Sequence, residues 1–201
     1  PRPAMALRHI IKRRKPPPGL DAILPALESF ESAMRDALNE PIDDKLRHEL
    51  SWRVHRIHHD QNRLIYTAHY LEKTLSTPCY KYLVKIKAAD DNLIAKWRKP
   101  GYERLCSLVA IQRSATNFGT TSICRVPLRS RRGQIMPNVN TGCVSCASDD
   151  GGPIWWDDPL PKRLEARVLA QRQDEGAEPG PMAAEEAEVE ADEEGGGGGG
   201  E

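Results

Sequence analysis

No stretch of about 18 consecutive apolar residues occurs in this 201-residue chain, so no membrane-spanning helix is expected. The basic N-terminal segment lacks the long apolar run and small-residue cleavage site of a secretory signal, which points to an intracellular protein. There is no nucleophile elbow and no dinucleotide fingerprint, and the run Gly195 to Gly200 has no Lys-Ser or Lys-Thr behind it to make a phosphate loop. An enzyme would therefore have no identifiable residues, and no small-molecule substrate is expected. The five cysteines, Cys79, Cys106, Cys124, Cys143 and Cys146, are an odd set in a chain without a secretion signal. That argues against a disulfide framework and for free thiols or metal ligands. Finally, no basic residue follows Arg172, although eleven acidic ones do.

This last absence unmasks the charge. Lys plus Arg and Asp plus Glu both number 29, but with the eleven acids of the tail set aside residues 1–172 carry a formal net charge of +11. A body so basic attracts polyanions, and a Lys/Arg surface gains affinity from the counterions that nucleic-acid phosphates release. The plainer alternative is a basic face that serves solubility, or one that the acidic tail folds back to screen. The 39% of hydrophobic residues permit a core of modest size beside 29% charged ones.

Along the chain four characters follow one another. Residues 1–18 read as a basic, Pro-rich arm, in which Lys12, Arg13, Arg14 and Lys15 precede three prolines that favour extended chain; the basic cluster suits nuclear targeting or a phosphate grip. Residues 19–100 read as a helical domain. Ile23, Leu27, Phe30, Met34 and Leu38 form one helical stripe, with the helix starting near Leu24 so that Pro25 falls in its first turn and Pro41 lies beyond its end. A second helix, capped by Asp43 or Asp44, has the stripe Leu46, Leu50, Val54, Ile57, Leu64, Ala68, Leu71 and Leu75, interrupted by polar residues 55–63. Ser76 or Thr77 caps a third with Pro78 in its first turn, and a fourth spans about 91–98 before Lys99-Pro100-Gly101 ends it. Residues 101–148 lose the helical period and have too little apolar content to close a core alone, so this Cys/Arg loop module must dock on the helices, bind a metal or be ordered by a partner. Residues 149–201 read as a linker holding an isolated Trp155-Trp156 pair, a brief helix over 164–170, and a disordered acidic tail. The expected fold is mainly α: a small helical bundle, then an irregular module able to bind zinc, then the tail.

Chemistry concentrates in two sets of residues. Cys143-x-x-Cys146 has the spacing with which two thiolates grip one Zn²⁺, and Cys106 and Cys124 could complete a tetrahedral four-thiolate site. Against this, Cys106 stands between Leu105 and Leu108 as a small core hydrophobe would. His55, His58 and His59 share a helix face, but the glutamate of a zincin is missing, so phosphate contact or a solvated face is the better reading. Arg113, Arg125, Arg129, Arg131 and Arg132 are interleaved with Asn117, Phe118 and threonines, a mix suited to gripping RNA phosphates beside a stacked base and equally natural in an exposed loop.

Several strings carry a further signal: Arg14-Lys15-Pro16-Pro17-Pro18, Arg56-Ile57-His58-His59, Asn92-Leu93-Ile94-Ala95-Lys96-Trp97, Gly101-Tyr102-Glu103, Asn117-Phe118-Gly119-Thr120 and Ile123-Cys124-Arg125-Val126-Pro127. Together, in collinear order over about residues 12–148, they resemble the bud-site-selection protein 31, or G-ten, family. The resemblance implies a nuclear, non-catalytic scaffold of the spliceosome, associated with the Prp-nineteen complex during pre-mRNA splicing. It also implies a helical N-terminal part, contacts with spliceosomal RNA and splicing proteins, and a cysteine-rich part that binds a zinc cluster. This chain departs from the pattern at Leu83, Ser107, Ala110, Ser122, Asn138 and Thr141, where family members generally carry Cys. Ser, Ala and Asn cannot bridge metals, so at most one Zn²⁺ is expected, on Cys106, Cys124, Cys143 and Cys146, with Cys79 structural. The residues expected to face RNA are Arg56, His58, His59, Arg63, Lys96, Arg113, Arg125, Arg129, Arg131 and Arg132. The alternative is a nuclear transcription or chromatin cofactor that binds proteins through the helical stripe, Trp155-Trp156 and the acidic tail.

Overall fold

A computed structural model describes residues 7–41, 46, 48–116, 119–131, 135–159 and 162. All of these except Lys162 fall within one compact unit. The expected caps Asp43 and Asp44, Asn117 and Phe118, Arg132, the brief helix over 164–170 and the acidic tail lie outside the described residues.

Five α-helices come first: α1 Leu7–Arg13, α2 Leu24–Leu38, α3 Trp52–Tyr66, α4 Thr77–Lys85 and α5 Asp91–Trp97. Two of the expected starts appear where proline chemistry puts them, since α2 opens at Leu24 and α4 opens at Thr77, each with a Pro in its first turn. Asp90 caps α5 by accepting hydrogen bonds from the backbone N–H groups of Asn92 (3.0 Å) and Leu93 (3.2 Å). Helix α1 falls inside the segment read from sequence as an arm. Its first free N–H, on Leu7, is bound by both carboxylate oxygens of Glu31 on α2 at 3.2 Å, and the Leu7 side chain is buried. The prolines that follow run without helix, tied to α4 by the Cys79 thiol, 3.3 Å from the Pro18 carbonyl, and by the Tyr82 hydroxyl, which donates to the Arg14 carbonyl at 2.5 Å.

Helix α3 differs from the expected long stripe. It is entered through a 3-10 turn, Glu49–Ser51, and leaves through a π-helical turn, Thr67–Leu71. Leu46 and Leu71, both assigned to the stripe, are exposed, whereas the polar middle contributes His59 and Asn62 to the interior. Asn62 is accommodated because its hydrogen-bonding groups are used: Oδ1 accepts from the Asp90 backbone N–H at 2.7 Å, and Nδ2 donates to the His58 carbonyl at 2.8 Å. A polar residue at a core position thus fixes the start of α5 against α3.

Beyond α5 the chain proceeds by short 3-10 turns, Leu108–Ile111, Arg113–Ala115, Ile123–Arg125, Leu128–Ser130 and Ser148–Asp150, and by a two-stranded antiparallel sheet. Strand β1, Cys143–Ser145, pairs with β2, Ile154–Trp155, with Cys143 opposite Trp155 and Ser145 opposite Ile154. The Trp155-Trp156 pair, read from sequence as an isolated spot in a linker, is therefore structural. Trp155 is buried, and Trp156 packs on Trp52 at the start of α3 with ring centroids 5.5 Å apart. Gly142 sits between these two rings at φ +70°, and a Cβ there would come within 2.7 Å of both.

The loop module resolves its shortage of apolar residues by docking. Its Leu105, Cys106, Ala110, Cys124, Cys143, Cys146 and Trp155 belong to the same core as Leu27, Ile65, Leu83, Leu93, Ile94 and Trp97 of the helices. Polar ties reinforce the junction: the Trp97 indole N–H donates to the Leu105 carbonyl (2.8 Å) and the Trp52 indole N–H to the Val139 carbonyl (2.7 Å).

Candidate metal centre and cationic face

The four cysteines singled out by spacing come from three separated segments. Cys106 follows Leu105 after α5, Cys124 occupies the turn Ile123–Arg125, and Cys143 and Cys146 begin and follow β1. A backbone hydrogen bond from Cys146 N–H to the Cys124 carbonyl (2.8 Å) draws the last two segments together. All four are fully buried, unpaired as disulfides, and their Sγ atoms lie within 4.8 Å of one another. Zn–S bonds of about 2.3 Å in a tetrahedron place sulfurs about 3.8 Å apart, so a small contraction would close this cage on an ion. The arrangement can hold a metal ion. Among the described residues it is the one such group of His, Cys, Asp or Glu.

Electrostatics at the site follow from crowding four thiols in a dry space. Hydrogen bonds from Cys106, Cys124 and Cys143 hold the Cys146 thiol well below its usual range, so it carries thiolate character. Burial, and then its thiol neighbours, push Cys143 up, while the hydrogen bond with Cys124 does most to raise Cys106. Two guanidinium groups stand beside this cluster. Arg125 donates through Nη1 to the Cys146 carbonyl and toward its Sγ (3.4 Å), and through Nη2 to the Gly101 carbonyl. Burial alone would lower its pKa, but the Cys146 charge next to it leaves it raised. Arg131 is buried, donates through Nε to the Val126 carbonyl (2.9 Å), and is lowered by burial despite the nearby Cys124 and Asp150. A divalent ion on four thiolates carries net charge −2, and two arginines match it.

The positions at which the family pattern would have cysteine hold turns instead. Asn138 Oδ1 accepts from the backbone N–H groups of Asn140 (2.9 Å) and Thr141 (3.1 Å), and Ser107 Oγ accepts from Val109 N–H (3.3 Å). Ala110 and Leu83 are fully buried core residues. Nearby, the buried Asp150 carboxylate accepts from Leu128 N–H (2.9 Å) and the Ser145 hydroxyl (2.5 Å), holding the turn before Arg131 against β1.

The residues expected to face RNA divide into two groups. Two of them, His59 and Arg131, are buried, and a third, Arg56, is half-buried and engaged in ion pairs. His59 is 4% exposed, with its ring edge-on to Trp97 (5.3 Å) and Trp155 (5.7 Å), so it packs α3 against α5 and β2. Arg131 is buried beside the thiols, and Arg56 is clamped by Asp157 and by Asp158 (2.9 Å), which straps the segment after β2 to α3. Of the others, Arg129 is exposed and paired with Asp149 at 2.6 Å, while His58 lies 3.8 Å from Asp90, its pKa lowered chiefly by burial. Arg132 lies outside the described residues, as do the side chains of Lys12 and Arg13 in the targeting cluster; Arg14 and Lys15 are exposed.

The second group gathers around aromatic rings. Arg63 lies over Tyr66 (4.9 Å) and Trp97 (5.2 Å), Lys96 over Tyr102 (5.6 Å), Arg125 over the same Tyr102 (5.3 Å), and Arg98 over Tyr70 (4.8 Å). Arg104 is close enough to Arg63 that their like charges, after burial, help lower the Arg63 pKa. Arg113 is exposed and shares a pocket with Tyr102 and Arg125. Five cation–ring pairs exceed the usual one per 70 to 80 residues, about two for a chain of this described length. Tyr102, Arg98 and Arg104 are additions to the sequence-derived set. The alternation Lys96-Trp97-Arg98-Lys99, continued by Tyr102 and Arg104, was the signal that could have found them.

With this geometry in view, the whole helical body and cysteine module, residues 5–148, match the family model described as pre-mRNA-splicing factor BUD31. The chain belongs to the BUD31 family. BUD31 homolog 2 of Oryza sativa is 45% identical over 138 residues, covering 69% of this chain and 95% of that protein. Pre-mRNA-splicing factor BUD31 of Saccharomyces cerevisiae is 43% identical over 152 residues (69% and 96%), and pre-mRNA-splicing factor cwf14 of Schizosaccharomyces pombe is 40% identical over 140 residues (69% and 95%). The names of the yeast relatives support a role in mRNA splicing and processing, and the family match ends at residue 148, before the acidic C-terminal residues.

Proposed function

We propose that this BUD31-family chain is a nuclear, non-catalytic scaffold of the spliceosome that contacts RNA and splicing proteins, those associated with the Prp-nineteen complex included. The observation that carries the RNA contact is the row of cations on aromatic rings around Tyr102, on a body whose residues 1–172 have net charge +11. Cations held over rings lose little freedom on binding a phosphate. Arg63, Lys96, Arg113 and Arg125 are the members of the expected set that serve this role, with Arg98 and Arg104 beside them. Arg14 and Lys15 continue the positive charge and, with Lys12 and Arg13, suit nuclear import.

One Zn²⁺ on Cys106, Cys124, Cys143 and Cys146 would act structurally: four protein ligands leave no open position for a substrate or water. The ion would staple three segments that have few apolar residues of their own, with Arg125 and Arg131 offsetting its thiolate charge.

Recovery of the tagged chain from cells tests this reading. Spliceosomal small nuclear RNAs and splicing proteins should co-purify, and should be lost steeply as salt is raised for the RNA-bound fraction. Recovery of neither would overturn it.

A further inference from the structure

Tyr102 and Arg125 also line a pocket of about 350 Å³, completed by Ile111, Arg113, Gly119, Thr120 and Thr121. We propose that this pocket is a specific seat for one RNA backbone phosphate, and that Arg113 and Thr121 are its direct ligands while Arg125 is held in place by the carbonyls of Gly101 and Cys146. The inference rests on the RNA reading above and deepens it by locating a subsite.

The donors are suited to a phosphate. Among the described residues the exposed Arg113 guanidinium has no hydrogen-bond or ion-pair partner, and neither has the exposed Thr121 hydroxyl. Gly119, at φ +63°, has open space where a Cβ would point, so a ligand can approach the backbone there. Arg125 is different in kind. Its two terminal nitrogens are bound to the carbonyls of Gly101 and Cys146, so it supplies fixed charge to the pocket wall. The Glu103 carboxylate accepts from Gly101 N–H (2.9 Å) and the Ser148 hydroxyl (2.7 Å) and its charge faces that of Arg125, which leaves Arg113 as the cation free to meet a phosphate.

A single phosphate on a modified peptide would use the same donors. RNA is favoured because the cations do not stop at the pocket: Lys96 shares the Tyr102 ring with Arg125, and Arg63, which donates to the neighbouring Glu103 carbonyl (3.1 Å), lies near Arg104. Several neighbouring charges suit a ligand that repeats its phosphate.

The test uses the full chain, loaded with zinc, and a short fluorescent oligouridylate titrated at several salt concentrations. Arg113→Gln should weaken binding about fivefold and flatten the dependence of log affinity on log salt by about 0.7, the signature of one lost single-strand phosphate contact. Thr121→Val should weaken it about twofold without changing the slope. Arg35→Gln, which removes the same charge from α2, is the control and should change neither. If Arg113→Gln behaves as Arg35→Gln does while the unaltered chain still binds, the pocket assignment fails and the RNA reading stands. If the unaltered chain binds no oligouridylate, both fail. Tighter binding to a singly phosphorylated serine peptide than to the oligouridylate would also overturn the assignment. Arg113 and Thr121 are exposed, so circular dichroism of both variants should match the parent.

Discussion

At the scale of single residues, the same side-chain type does different work according to where the fold sets it. Arg56, Arg125 and Arg131 share a guanidinium with Arg113, yet the first is clamped by two aspartates and the other two face thiols and carbonyls. His59 shows the contrast most clearly. Its neighbour His58 is half-exposed near Asp90, whereas His59 fills the space between two indoles. His59→Ala should therefore cost about 2–4 kcal/mol of stability through the cavity it leaves, and should leave oligouridylate affinity unchanged at a temperature where the variant is folded. Chemical denaturation beside the RNA titration checks both halves, and a loss of RNA affinity without loss of stability would return His59 to the surface set. Asp150→Ala offers a second check at this scale. It strands the buried Leu128 N–H and Ser145 hydroxyl, and a loss of about 2–3 kcal/mol is expected in the same denaturation assay.

At the scale of elements, the cysteine module has little regular structure, since β1 and β2 are only three and two residues long, and it rests on the core it shares with the helices. Metal analysis of the purified chain should give one zinc per molecule, and Cys124→Ser should lower both zinc content and thermal stability. Cys79→Ser should leave the zinc in place, because that thiol lies against the Pro18 carbonyl and away from the four-cysteine group. The pH dependence has a definite sign. Cys106 and Cys143 have raised pKa values, so as thiols they are protonated near neutral pH and must release protons to bind a metal. Apparent zinc affinity should then rise with pH and fall in acid, measured by competition with a chelating dye across a pH series; a flat profile would contradict ligation by these thiols.

At the scale of the whole molecule, one core runs from the helices into the cysteine module, so the two should unfold together. Calorimetry of the zinc-loaded chain is expected to show a single transition that a strong chelator lowers by about 10 °C or more, since only the folded state assembles the four-thiolate site. Two separate transitions would mean that the module is an independent domain. Much of this architecture was legible in advance. Pro25 and Pro78 dictated where two helices begin, because a proline without its N–H is harmless only in a first turn. The Cys143-x-x-Cys146 spacing marked two thiols that the fold brings within 4.8 Å of those of Cys106 and Cys124. The polar middle of α3 was harder to read, because the burial of Asn62 depends on a backbone N–H at Asp90 that no local pattern announces.

Composition and local spacing by themselves determined the helical class, the starts of α2 and α4, the uneven charge of body and tail, and the identity of the four thiols able to hold one ion. These are properties of neighbours along the chain, where helix period, proline geometry and ligand spacing act. Only the tertiary structure decided which arginines are exposed and which are buried or paired, that His59 is a packing residue, and that Trp155 completes the sheet beside Cys143. The reason is physical: exposure and pairing are set by contacts between segments far apart in sequence, as in the meeting of Arg56 with Asp158 or of Arg125 with Cys146.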